Sequence, residues 1–597
     1  MARPDATTPG RSRPRRWLDE LWAMHRRTTG LLVLDPGELA SILDHRQGSA
    51  TRSEAGREAW SEGDAVDPSL ESGTVQAFDG TPPDGDRSPF DLGDRYGRRQ
   101  LVGFVLGPLA FALAFLWPTP AGLSPAGQAV GAVTLWVAIW WITEAIPIPA
   151  TSLLPLVAFP LTGAVSLAET APSYAHPIIF LFMGGFFLAV AMQRWNLHRR
   201  IALRTVALVG TRPRRLMLGF MLATAFLSMW VSNTATVMMM VPIAMAVLAQ
   251  ATDRLEGLAD LRTAIREGEF EFGLVLMLAI AYSASVGGVG TLIGSPPNII
   301  FAGQVNELFG ETITFLSWMY YGVPIAVLGL AVVYVYLIRL GPGRDIGEAV
   351  LEADVVETQL AALGPMSPPE RRVLVVFAGM AGGWIGASLA AQLELLAVPA
   401  NADSIVAIGG ALVLFAWPTR TPSGERTFLL DWAHAVSIPW GVILLFGGGL
   451  AIAAGFAETG LAIWIGGQLT GLEGISLLGL LVIVVALTIF MTEVTSNTAT
   501  AAMLLPIVAG VAVSLGWHPY ALMVAAATAA SFAFMLPVAT PPNAIVFGSG
   551  YLTLPQMARV GIWLNLVAIV LITAIALLWV PVAWGIDPGV IPPFVDG

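Results

Sequence analysis

Residues 228–243 read SMWVSNTATVMMMVPI, and residues 493–507 read EVTSNTATAAMLLPI. The shared SNTAT puts a serine, an asparagine and two threonines inside two long apolar blocks, 216–249 and 474–513. Each block is long enough to enter a bilayer and return. Unwound polar backbone survives in hydrocarbon only where it faces protein, ions or water. The two triplets therefore read as the tips of re-entrant hairpins, spanning 214–249 and 474–513, that face something polar.

The rest of the chain supports a bilayer setting. It has 597 residues, is 55% hydrophobic and only 12% charged, against about 25% charged in soluble domains. From residue 100 onward apolar stretches of spanning length follow one another, which makes this an all-α polytopic membrane protein. The absence of cysteine excludes disulfides, thiol nucleophiles and cysteine-bound metals. A net charge of −11 argues against nucleic acid as a partner. No Ser/His or Asp/Asp pair accompanies the triplets, so an enzyme is not indicated. A channel would need a continuous wet path rather than two closed tips. Residues 1–99 differ from the rest, with 14 Arg and 17 acidic groups among Gly, Pro and Ser runs. They read as a largely disordered cytoplasmic tail with a short helix over 36–45, and no signal peptide is expected before residue 101.

Breaks at proline, glycine and charge give about 11 transmembrane helices besides the two hairpins. They lie near 101–118, 126–145, 148–166, 176–192, 273–303, 318–340, 371–390, 402–418, 437–455, 516–548 and 560–583. With the N-terminus cytoplasmic, all 17 arginines after residue 99 fall on the cytoplasmic side, as the positive-inside rule requires. The C-terminus is then extracytoplasmic. Treating one SNT block as a single span reverses everything after it and destroys that pattern; two full spans for both leave it intact.

A shift of 264 residues brings the halves into register. FLFMGGFFLA (180–189) meets LLFGGGLAIA (444–453), the SNT triplets coincide, and Pro242 meets Pro506. A second pair, GTLIGSPPN (290–298) and LPVATPPN (536–543), aligns at a shift of 245. The expected organisation is a first helix over 100–125, one repeat over 126–340, a cytoplasmic linker over 341–370, a second repeat over 371–583 and a short tail over 584–597. By the topology above the repeats are inverted, as in secondary transporters whose sites lie where the repeats meet. Pro-Pro removes two backbone donors and turns the preceding residue away from helix. Each break leaves carbonyls at one helix end, suited to a small cation, and amides at the other, suited to an anion.

Ser232, Asn233 and the backbone at Gly294 are the expected Na⁺ ligands at the first tip. Asn497, Thr498 and the backbone near Ala539 are their counterparts at the second. An anionic substrate would meet Asn233, Thr234, Asn497 and Thr498, with Ser295 and Thr540 completing the ring. Asn298 and Asn543 are expected either to cap the helices restarting after Pro-Pro or to touch substrate. Glu493, whose register partner is Met229, is either a polar contact at the hairpin or an outward-facing acid. A small-residue packing face is the competing reading of SNT, but it leaves the paired Pro-Pro-Asn breaks unexplained.

With SMWVSNTATVMMMVPI, GTLIGSPPN, IPWGVILLFGGGLAIAAGF (438–456), EVTSNTATAAMLLPI and ATPPN (539–543) together, the chain resembles the divalent anion/sodium symporter family, solute carrier family 13, over about 100–583. The resemblance implies an elevator-type homodimer in the cytoplasmic membrane that carries dicarboxylates such as succinate, malate or fumarate with Na⁺ ions and needs no organic cofactor. Carried over by motif, Ser232, Asn233 and Gly294 would form one sodium site, and Asn497 and Ala539 the other. Asn233, Thr234, Ser295, Asn497, Thr498 and Thr540 would touch the substrate. Sulfate or another divalent anion, proton coupling and anion exchange stand as alternatives, and membrane lipid is an expected partner.

Overall fold

Proline and glycine divide the apolar sequence into helices. The structure, a computed structural model, describes residues 97–595 apart from 211, 253–270, 344–353, 400, 422 and 469–474. The short helix expected over 36–45 lies outside the described residues. The helix α1 (Arg98–Leu116) packs on α2 (Pro125–Thr143), which starts with Pro125 at its first position and Ser124 Oγ accepting from Gly127 N at 3.0 Å. Where one span is expected over 148–166, prolines divide the chain into two short helices, Ile148–Thr151 and Leu154–Thr162.

Seven helices follow: α3 (Pro177–Arg194), α4 (Leu197–Val209), α5 (Pro213–Ser228), α6 (Asn233–Thr252), α7 (Glu271–Gly288), α8 (Pro296–Phe309) and α9 (Phe315–Val335). A helix over Asp354–Ala362 lies in the linker, followed by α10 (Pro368–Gln392) and α11 (Ala402–Ala416). A two-stranded antiparallel ribbon, β1 (Pro418–Arg420) and β2 (Arg426–Phe428), comes next. The series then runs again as α12 (Trp440–Thr459), α13 (Leu461–Gln468), α14 (Leu477–Thr492), α15 (Asn497–Ser514), α16 (Pro519–Ala530), α17 (Pro541–Gly548) and α18 (Leu554–Leu578).

Phe182 and Phe446, equated by the 264-residue shift, touch with ring centroids 5.0 Å apart. Gly184 and Gly448 are small because another backbone crosses them. A Cβ on Gly184 would stand 2.6 Å from Ala407 O on α11, and one on Gly448 would stand 2.5 Å from Ser152 O. Both helices that open at SNT carry the equated prolines inside them, Pro242 and Pro506. The first hairpin tip is held by aromatic packing: Trp230 stacks on Trp384 at 6.4 Å and meets Phe377 edge-on at 5.0 Å.

Among the described residues nine helices are long and apolar enough to cross a membrane. They do not map one to one onto the eleven expected spans. The helix α15, in the block expected as a hairpin, is itself one of the nine, whereas 148–162, α11 and α16 are too short to count alone. The last is shortened by the break that follows it.

Candidate functional site

Each SNT triplet opens a helix, α6 at Asn233 and α15 at Asn497. In the first copy the half-buried Ser232 caps α6: its Oγ accepts from Ala235 N at 3.3 Å and its carbonyl accepts from Thr236 N at 3.0 Å. Ser228 Oγ donates to Ala284 O at 2.7 Å. A hydroxyl has one proton to give, so the Asn233 amide beside it must present its nitrogen. The nitrogen then has three acceptors within reach of its two protons, Ser228 Oγ (2.5 Å), Gly294 O (3.1 Å) and Ala284 O (3.3 Å).

Gly294 closes this knot. A Cβ there would stand 2.4 Å from Gly288 O and 2.9 Å from Ser228 O, and one on Gly288 would stand 2.9 Å from Gly294 O. The carbonyl oxygens of Ser228 and Gly288 thus crowd Gly294, and the Gly294 carbonyl and the Asn233 amide crowd Gly288. Only glycine fits at either position.

The second copy repeats the pattern with changed side chains. Thr492 Oγ1 stands 2.6 Å from Asn497 Oδ1 and donates to Ala530 O at 3.0 Å. The 264-residue shift takes Ser228 to Thr492 and Asn233 to Asn497. Thr234 is half-buried and Thr498 buried, each in the first turn behind its asparagine. Ala539 is buried in the turn before Thr540, and its N–H donates to Leu536 O at 3.2 Å.

The breaks after α7 and α16 are locked by equivalent asparagines. Asn298 Nδ2 donates to Gly288 O (3.0 Å) and Thr291 O (2.7 Å). Asn543 Nδ2 donates to Ala533 O (3.0 Å) and Leu536 O (3.1 Å). Both side chains reach back to the broken segment, so the expected cap on the restarting helix is corrected. Thr540 holds that position on α17, accepting from Asn543 N at 3.2 Å. Ser295 precedes α8 without capping it, and its Oγ instead lies 2.9 Å from Ser531 Oγ in the other half. The Oδ1 atoms of Asn298 and Asn543 are both buried with no donor.

Glu493 is a buried contact of the hairpin rather than an outward-facing acid, at 3% exposure. Its carboxylate accepts from three consecutive amides of the second break, Phe534 N (2.7 Å), Met535 N (2.9 Å) and Leu536 N (3.0 Å), and from Asn565 Nδ2 (2.7 Å). In the first copy its place belongs to Met229, whose carbonyl accepts from Thr291 Oγ1.

The helices cross-pack so that each break lies beside the other half's SNT helix, α8 against α15 and α17 against α6. Gln304 Nε2 donates to Ala502 O at 3.0 Å, and Tyr282 OH to Phe534 O at 2.8 Å, tying the two together. Asn233 and Gly294 are in direct contact, and Ser295 meets the opposite break. Sequence reasoning missed Ser228, Thr492, Ser531 and Asn565. The first two had a signal: a hydroxyl stands five residues before each asparagine.

A helical body of spanning, apolar segments, broken twice at polar knots of neutral oxygens, defines a membrane transporter. The family model described as the sodium:sulfate symporter transmembrane region matches residues 99–585. The chain belongs to that family of integral membrane transporters. It is similar to the sodium-dependent dicarboxylate transporter SdcS of Staphylococcus saprophyticus, 46% identical over 492 residues, covering 82% of this chain and 93% of the relative. It is likewise similar to SdcS of Staphylococcus aureus, 44% identical over 502 residues, covering 84% and 94%. Among solved structures, the Alcanivorax borkumensis YdaH transporter aligns with a TM-score of 0.46 at 14% identity, covering 81% of this chain and 97% of that one.

Proposed function

We propose that the chain is a sodium-coupled secondary active symporter of di- or tricarboxylates of the succinate, malate and fumarate type. In this reading one Na⁺ is held by Ser232, the Gly294 carbonyl and Asn233, whose amide turns over on binding so that its oxygen replaces its nitrogen toward Gly294, and another by Asn497 and the backbone at Ala539. The carboxylates of the substrate meet Asn233, Thr234, Ser295, Asn497, Thr498 and Thr540. The observation that carries the reading is the first knot, where the carbonyl oxygens of Ser228 and Gly288 stand where a Cβ on Gly294 would lie and the Gly294 carbonyl stands beside Asn233. Neutral oxygens at such density suit an alkali cation, and no acidic ligand is required. Glu493, the buried acid nearest the second knot, has its lone pairs engaged by four donors.

The anion finds its partners at the N-termini of α6 and α15, where helix dipoles and first-turn amides favour negative charge, and in the dipoles alone of α8 and α17, whose Pro-Pro openings carry no N–H at the first two positions. Bound Na⁺ offsets the cost of desolvating a doubly charged solute. The relatives named as dicarboxylate transporters support this substrate class. Sulfate is the competing substrate, favoured by the family's description. The protomer works as half of a homodimer with an elevator-like transport domain, its N-terminus cytoplasmic and its C-terminus extracytoplasmic.

The test is uptake of radiolabelled succinate by reconstituted Asn233→Ala and Asn497→Ala proteins, with sulfate, citrate and malate as competitors. Both variants are expected to insert and purify normally yet to lose concentrative uptake. Normal uptake by both would overturn the assignment, and competition by sulfate stronger than by malate would replace the substrate class.

A further inference from the structure

Away from the two knots, a cavity of about 820 Å³ opens among the end of α3, the start of α4, the start of α10 and the β1–β2 ribbon. Five arginines line it, with Glu370 as the single acid. Two are neutralised. Arg200 pairs with Glu370 and donates to Gly364 O at 2.8 Å, and Arg194 lies 2.8 Å from Asp431. Arg372, Arg420 and Arg426 form no ion pair among the described residues.

The ribbon gives this excess charge its shape. Arg420 and Arg426 are direct cross-strand partners, an arrangement in which like charges repel. The turn between them prevents slippage: Thr421 N donates to Glu425 O at 2.9 Å, Gly424 N to Thr421 O at 2.9 Å, and Glu425 N to Thr421 Oγ1 at 3.1 Å. Arg372 Nη1 donates to Pro418 O at 2.8 Å, which brings a third guanidinium to the same strand. A fold that locks unpaired arginines face to face over a cavity is built for an anion. Adjacent guanidinium forks match the oxygens of a phosphate, which each can grip in two-pronged fashion. The volume suits a headgroup rather than a simple halide. The ribbon follows directly on α11, and Phe428, Trp432 and Trp440 beside it are 47%, 62% and 42% exposed. Trp440 opens α12, one of the helices long enough to span, and exposed aromatic rings at such an end mark the headgroup level of a bilayer.

We propose that this cavity binds a phosphate group, that of an anionic phospholipid headgroup, through Arg372, Arg420 and Arg426. The site stands apart from the SNT knots and does not depend on what they carry.

The test is native mass spectrometry of the full chain in detergent, offered equal phosphatidylglycerol and phosphatidylcholine. A parallel arm measures thermal protection by glycerol 3-phosphate. The wild type is expected to retain phosphatidylglycerol about tenfold over phosphatidylcholine, and the Arg420→Gln/Arg426→Gln protein to lose that preference. Arg559→Gln, a control outside the cavity, should keep it. Should the double variant fail to fold, Arg372→Gln leaves the ribbon intact and reads the same loss. Protection by glycerol 3-phosphate alone, abolished in the same variants, would keep the phosphate site and assign it to a soluble ligand. Equal lipid retention and equal protection in wild type and variants would overturn the proposal, as would displacement of the bound lipid by succinate.

Discussion

At the scale of single residues, the site depends on absent atoms as much as on present ones. Gly294 is fixed by two carbonyls lying where its Cβ would be, whereas a Cβ on Gly382 of α10 would meet nothing within 4 Å. Gly294→Ala is therefore expected to push those oxygens apart and raise the Na⁺ concentration for half-maximal uptake by about tenfold or more, ~1.4 kcal/mol of lost binding. Gly382→Ala is expected to leave uptake unchanged and to stabilise by about 0.4–1 kcal/mol, because alanine has less chain entropy to lose on folding. Uptake curves and thermal unfolding of the two proteins separate these outcomes. An unchanged sodium dependence in Gly294→Ala would remove that carbonyl cage from the site.

At the scale of elements, the two breaks share one geometry but are held differently. The asparagine lock is common to both: Asn298 and Asn543 each tie down two carbonyls, at matching positions. The amides of the second break are gathered by Glu493, whereas in the first Thr291 bridges the Met229 carbonyl and Gly294 N. Glu493→Ala would strand two buried donors, Phe534 N and Asn565 Nδ2, and two part-buried ones, Met535 N and Leu536 N, a loss expected to exceed about 2 kcal/mol at 1–3 kcal/mol per buried orphan. Glu493→Gln keeps one accepting oxygen but turns an NH₂ toward donors, so it should lie between wild type and alanine. Hydrogen exchange over 531–540 reads the effect directly, rising most in the alanine variant. Protection unchanged in both variants would mean that the carboxylate does not hold this segment.

Which of these features the sequence carried depends on their physical kind. The helix breaks were legible because proline and glycine act locally: the chain stops at 288 and restarts at Pro296, and stops at 530 and restarts at Pro541. The register was legible because matched pairs such as Phe182 and Phe446 kept their identity. The locking roles of Asn298 and Asn543 were not, since a side chain's choice between capping forward and bonding backward is made by the fold. Glu493 stood out only as an asymmetry, and its partners lie 41 to 72 residues on in the chain. Ser228 and Thr492 differ in type, so an identity match passes over them although both offer a hydroxyl at the same place.

At the scale of the whole molecule, the long apolar helices supply a body for the bilayer, and cross-packing of the halves brings each break to the other half's SNT helix. In the proposed function transport follows from coupled occupancy: neutral oxygens attract sodium, and sodium together with four helix N-termini attracts a dianion that neither would hold alone. Coupling is the feature that joins the two knots into a single machine. Proteoliposomes loaded without sodium and given radiolabelled succinate with external sodium report on it. Succinate is expected to accumulate above its external concentration, and the excess to vanish when choline replaces sodium. Accumulation indifferent to that replacement, or none under any inward sodium gradient, would contradict a sodium-coupled carboxylate symporter.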